Sequence, residues 1–87
     1  MKSHLLQLLL PVAQSIHPEI LASSIQLDRP KSIEHGDFSS NLAMALAKTL
    51  KKNPRELANL IIEKLPTSPL IEKVEIAGAG FINFYLS

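Results

Sequence analysis

The stretch Val74-Glu-Ile-Ala-Gly-Ala-Gly-Phe-Ile-Asn-Phe-Tyr-Leu86 constrains this chain more than any other. Val74 and Ile76 alternate with Lys73 and Glu75, the period-two pattern of a half-buried strand. Gly78-Ala79-Gly80 follows, and its glycines admit the positive φ of a tight hairpin loop. Phe81 to Leu86 is rich in β-branched and aromatic residues, as strands are. A β-hairpin is expected, with Ile82, Phe84 and Leu86 on one face of its second strand and Phe81, Asn83 and Tyr85 on the other. Both faces carry apolar or aromatic groups. On pattern alone, burial on both faces is the plainer reading. The functional alternative is a sheet face that offers a ring beside an amide, which suits a nucleobase.

A chain of 87 residues makes one domain with a modest core. Domains of this size bury roughly 60–65% of the surface their unfolded chain exposes. The hydrophobic share of 46% and charged share of 20% are those of an ordinary globular sequence. The net charge of +1 creates no global field toward nucleic acid or membrane, so any basic footprint must be local. The absence of cysteine excludes disulfides and thiolate metal sites and fits a cytoplasmic protein. Met1-Lys2 with Leu5-Leu6-Gln7-Leu8-Leu9-Leu10 has the look of a short signal peptide. However, Gln7 interrupts the run, Pro11 ends it, and no small-x-small cleavage site follows. The run is also too short to span a bilayer, and an amphipathic first helix is expected instead.

In chain order, Ser3 is the expected N-cap, and Leu5, Leu6, Leu9, Val12, Ala13 and Ile16 form one apolar helix face. Pro11 should kink or break that helix, and Pro18 should end it. Ile20 to Ser24 suits a short helical turn. Ile25 to Asp28 reads as a strand that Pro30 confines to an edge, and Ser32 to His35 as a second short strand. Gly36-Asp37 is turn chemistry. Asp37, Ser39 or Ser40 then caps a helix whose apolar face includes Phe38, Leu42, Ala45, Leu46 and Thr49, widened by Ala43, Ala47 and Leu50. Asn53-Pro54-Arg55-Glu56 is the clearest local signal: a cap, a proline at the first helical position, and a glutamate three residues after the cap. Leu57, Ala58, Leu60, Ile61, Ile62 and Leu65 supply the buried side of that helix, and Pro66 stops it. The order α-β-β-α-α-β-β predicts an α+β domain in two layers, helices on a small antiparallel sheet with one sheet face left uncovered.

Catalytic chemistry has little support. His4, His17 and His35 lie in different elements without ligand spacing, so no metal site is expected. The lone Gly-x-Gly of Gly78 and Gly80 sits between strands, whereas a dinucleotide loop joins strand to helix. Asp37 reads as a turn or cap residue, and Asn41 as a residue that stitches the turn to the helix. Lys48, Lys51, Lys52 and Arg55 place four bases in eight residues. The cluster serves equally as a solvated helix end favoured by the helix dipole or as a set of phosphate contacts.

Several of these pieces, in this order, resemble the N-terminal additional domain of arginyl-tRNA synthetases. The matching segments are His35-Gly36-Asp37-Phe38-Ser39-Ser40-Asn41 running into Leu42 to Lys48, then Asn53-Pro54-Arg55-Glu56-Leu57-Ala58, then Val74 to Phe84. The resemblance covers about residues 25 to 86, and the first helix matches in character only. Pro11 is atypical for that helix.

The resemblance implies a helix-and-sheet module preceding a catalytic domain that carries the ATP, magnesium and arginine chemistry of a class I ligase. The motifs His-Ile-Gly-His and Lys-Met-Ser-Lys-Ser of that domain are not in this sequence, so the chain is expected to be a non-catalytic part of a longer protein without a cofactor of its own. It implies tRNA(Arg) and the catalytic domain as partners, with no membrane and a monomeric state. The aromatic-x-amide element on the last strand, tied in the family to a D-loop nucleotide at the tRNA elbow, falls on Phe81 and Asn83. Tyr85 and the bases Lys48, Lys51, Lys52 and Arg55 join them as candidate RNA contacts. Gly36, Asp37, Phe38 and Asn41, with Gly78 and Gly80, are carried over as scaffold first, and the first four as RNA contacts second. The competing expectation is a scaffold domain whose open sheet face docks another part of its protein.

Overall fold

The computed structural model describes the backbone of residues 1–87 and every side chain but that of Ile33. The elements run α1 (Lys2–Ile16), a 3₁₀ turn (Ala22–Ser24), β1 (Leu27–Asp28), a second 3₁₀ turn (Ile33–His35), β2 (Phe38–Ser40), α2 (Leu42–Leu50), α3 (Pro54–Lys64), β3 (Ile71–Ala77) and β4 (Phe81–Leu86). The strands form one antiparallel sheet in the order β1-β2-β4-β3, and the expected two-layer α+β architecture is the one observed.

Burial follows the two periodicities. Leu5, Leu9, Val12 and Ala13 of α1, Leu42, Ala43, Leu46 and Ala47 of α2, and Leu57, Ala58 and Ile61 of α3 form the helical half of the core. Leu27, Phe38, Ile82 and Phe84 face them from the sheet. Phe38 stands opposite Phe84 in the ladder, and Ser40 opposite Ile82, so one sheet face meets the helices. The alanines of α2 let α2 pack against both α3 and β4.

Two caps illustrate local control. The Asn53 side chain accepts from the backbone N–H groups of Arg55 (2.9 Å) and Glu56 (3.2 Å), with Pro54 in the first helical position, as expected. The hairpin turn closes with Gly80 N–H donating to Ala77 O at 3.2 Å.

Several boundaries differ from expectation. The first helix begins at Lys2, ahead of Ser3, and continues through Pro11 to Ile16 without a break. Pro11 is exposed, so its missing donor falls on the solvent side of the helix. The first strand is only Leu27–Asp28, shorter than Ile25 to Asp28. Ser32 to His35 is not a strand: a 3₁₀ turn occupies Ile33–His35, and the second strand is Phe38–Ser40. Phe38 is therefore a strand residue packed on Phe84, not part of a helix face. Neither Asp37 nor Ser39 caps α2. Ser40 Oγ accepts from the Leu42 N–H at 3.1 Å, and Asn41 holds the N-cap position without a side-chain cap bond.

Candidate nucleic-acid interface

The sheet face turned away from the helices is built from the residues that alternate with the core. Asp28, Ser39, Asn83 and Glu75 form one row across all four strands, fixed by the pairs Asp28–Ser39, Ser39–Asn83 and Glu75–Asn83. Phe81 and Tyr85 flank Asn83 along β4, opposite Ala77 and Lys73. The faces divide as the sequence pattern predicts.

A groove of about 630 Å³ lies on this face, with Phe81, Asn83 and Ser39 on its floor. Gln26, Asn41 and Met44 line it near the Phe81 end, and Pro30, Lys31 and His35 line it from the segment that follows β1. Phe81 is 43% exposed, whereas Asn83 is 3% exposed. A large ring open to solvent beside a sheltered amide is an unusual pairing, because apolar rings are ordinarily the buried member.

Asn41 adds a second amide. Its Nδ2 donates to Gln26 Oε1 at 3.1 Å, while its Oδ1 is buried with no partner. The expected stitch from Asn41 thus runs back to Gln26, not onto its own helix. A buried acceptor left unpaired is costly, and this one is shielded from solvent.

The basic residues divide. Met44 lines the groove, and Lys48, one turn further along α2, lies on the same helix side and is exposed. Lys51 closes α2 in the left-handed conformation (φ 56°, ψ 47°), and Lys52 N–H donates to Ala47 O at 3.1 Å; both side chains are exposed. Arg55 turns toward the hairpin, its guanidinium donating to the Gly78 carbonyl, and Gly78 also borders the groove. Of the four, Arg55 alone bonds a residue that lines the groove, and the three lysines are exposed at the end of α2 and just beyond it.

Tyr85 differs from Phe81. Its hydroxyl donates to the Glu34 carbonyl at 2.7 Å, and Lys73 lies 4.4 Å from the centre of its ring. The hydroxyl titrates above the ordinary phenol value, first because packing strips water from it and then because Glu75 is near. Tyr85 is engaged by protein groups on both its ring and its hydroxyl and lies outside the groove lining that holds Phe81 and Asn83.

The scaffold residues act together. Gly36 is buried at φ +88°, and a β-carbon there would lie 2.6 Å from Phe84 O. Asp37 N–H donates to that same Phe84 carbonyl at 2.8 Å, and Asp37 Oδ2 accepts from Leu86 N–H at 2.8 Å. Asp37 therefore clasps the end of β4 and does not cap a helix. Gln26, Lys31, His35 and Met44 were not singled out as site residues in the sequence. Of these Met44 carried a signal as the i+3 neighbour of Asn41 on a helix face, and His35 as the first residue of a matching segment. Among the described residues no group of three metal-ligating side chains converges, and no helix is long and apolar enough to cross a membrane.

Comparison with known proteins agrees with this fold. The chain is 52% identical over 85 residues to an arginine–tRNA ligase of Nitrosomonas europaea, covering 98% of this chain and 14% of that protein. It is 62% identical over 64 residues to the arginine–tRNA ligase of Thiobacillus denitrificans, covering 74% of this chain and 12% of that protein. The chain thus spans only about one seventh of the length of these curated relatives. Among solved structures, Thermus thermophilus arginyl-tRNA synthetase superposes on all of this chain and 14% of its own, with a TM-score of 0.83 at 23% identity. Plasmodium falciparum arginyl-tRNA synthetase gives a TM-score of 0.81 at 19% identity, over 98% of this chain and 16% of its own. The family model described as the arginyl tRNA synthetase N terminal domain matches residues 3–86, and the chain belongs to that family.

Proposed function

We propose that this chain is the tRNA-holding module of an arginine–tRNA ligase, and that its open sheet face takes an unpaired D-loop base of tRNA(Arg) at the elbow of the molecule. Activation of arginine by ATP with magnesium then belongs to a catalytic domain elsewhere in the protein, to which this chain contributes no reacting group. Membership of the family supports the parent activity. The observation that carries the RNA role is the exposed Phe81 ring two residues from the sheltered Asn83 amide, on one face of β4 and in one groove.

The chemistry fits a loop nucleotide. An unpaired base offers both its face and its hydrogen-bonding edge. Phe81 supplies a stacking surface, and the Asn83 amide supplies a donor and an acceptor for the edge. In this reading the exposed bases Lys48, Lys51, Lys52 and Arg55 contact the phosphates of such a loop, and their worth depends on salt.

The test is binding of the full-length protein to tRNA(Arg) in which single D-loop nucleotides are made abasic, which leaves the phosphates in place. One position should lose about 5- to 150-fold in affinity, the equivalent of one stacked base. Uniform affinity across all D-loop positions would contradict the reading.

A further inference from the structure

The groove has a wall that β4 itself holds in place. The Tyr85 hydroxyl reaches the Glu34 carbonyl across 51 residues of sequence, at 2.7 Å. Gly36 sits against Phe84 O and the Tyr85 ring so closely that a β-carbon would lie 2.6 Å and 3.3 Å from them. The backbone between β1 and β2 is thus pressed onto the last strand, and it carries Lys31 and His35 to the groove. Residues 29 to 37 contain only a single 3₁₀ turn, so few hydrogen bonds of their own fix their path. Gly36 and Asp37 tie the end of this segment to Phe84 and Leu86, and the Tyr85 hydroxyl adds the tie further back, at Glu34.

We infer that Tyr85 is a positioning residue for RNA binding: its hydroxyl, through the Glu34 carbonyl, holds the Pro30–His35 segment as one wall of the groove and so presents Lys31 to the phosphate of a nucleotide whose base lies on Phe81. This rests on the proposed RNA role of the groove. Phe81 and Asn83 sit on the sheet and need no such support. Lys31 sits on a loop and does. Asp28 also borders the groove, so the sign of the local field depends on where the loop holds Lys31.

The substitution that isolates the hydroxyl is Tyr85→Phe, which keeps the ring beneath Lys73 and beside Gly36. In the full-length enzyme it should raise the KM for tRNA about three- to tenfold, the size of one lost hydrogen bond, with kcat unchanged. Hydrogen exchange of the amides from 31 to 36 should accelerate in the same variant. A double-mutant cycle identifies the route: on a Lys31→Ala background, Tyr85→Phe should add almost nothing. Full additivity would mean that Tyr85 acts on the RNA without Lys31 and would overturn the inference, as would faster exchange with an unchanged KM. Failure of the underlying reading looks different, because Phe81→Ala would then also leave the KM for tRNA untouched.

Discussion

Gly80 and Pro54 approach so closely that a β-carbon on Gly80 would lie 2.9 Å from Pro54 Cβ and 3.2 Å from its carbonyl carbon. The hairpin loop is therefore pressed against the first turn of α3, and Gly80 also holds φ +140°, which side chains rarely adopt. Gly80→Val should destabilise the domain by about 1–3 kcal/mol through strain and displacement of α3. Thermal unfolding checks this, and an unchanged midpoint would mean that the loop tolerates a side chain after all.

Lys51 occupies a position that glycine usually fills, the left-handed residue that ends a helix. Lys51→Gly should stabilise the fold by about 0.5–1 kcal/mol, the relief of left-handed strain less the added freedom of the unfolded chain. The same substitution removes a charge from the proposed RNA surface. A variant that melts higher yet binds tRNA more weakly would separate the two roles of this residue in one protein.

The basic cluster makes a further prediction through salt. Neutralising Lys48 and Lys52 in the full-length enzyme should weaken tRNA binding and make the dependence of log K on log salt shallower, by about 0.7–0.9 per lost phosphate contact. An unaltered slope would return these lysines to the role of a solvated helix end.

What could be read from the sequence was what depends on near neighbours. The hairpin announced itself by alternation and glycines, and the Asn53 cap by a motif whose parts lie within four residues. The second strand could not be read this way. Phe38–Ser40 is three residues long, too short for a period to register, and the Asp37-Phe38-Ser39-Ser40-Asn41 run, polar but for Phe38, imitates a helix start. Its pairing with β4 is non-local and overrides that local preference. Alternation placed Phe81, Asn83 and Tyr85 on one face correctly, but it carried no information on what reaches that face from elsewhere. The Glu34 carbonyl and Lys73 engage Tyr85, and neither contact has a sequence signature. Lys31 and His35 reach the groove only because the loop after β1 folds back over the sheet.

In the proposed role Phe81 and Asn83 read a base and do not serve merely as parts of the core. The two residues differ in burial, so their substitutions differ in structural risk. Phe81 is half exposed and should cost little stability as alanine, whereas Asn83 is sheltered and needs its fold checked. The decisive measurement is steady-state kinetics of full-length Phe81→Ala, with thermal unfolding measured on the same preparation. The KM for tRNA should rise by about 5- to 150-fold, matching the loss of one stacked base, while the KM values for ATP and arginine and the unfolding midpoint stay near those of the parent. Asn83→Ala should follow the same pattern and also lessen discrimination among tRNAs that differ at the D-loop base. A lowered unfolding midpoint with unchanged tRNA kinetics in Phe81→Ala would contradict the account.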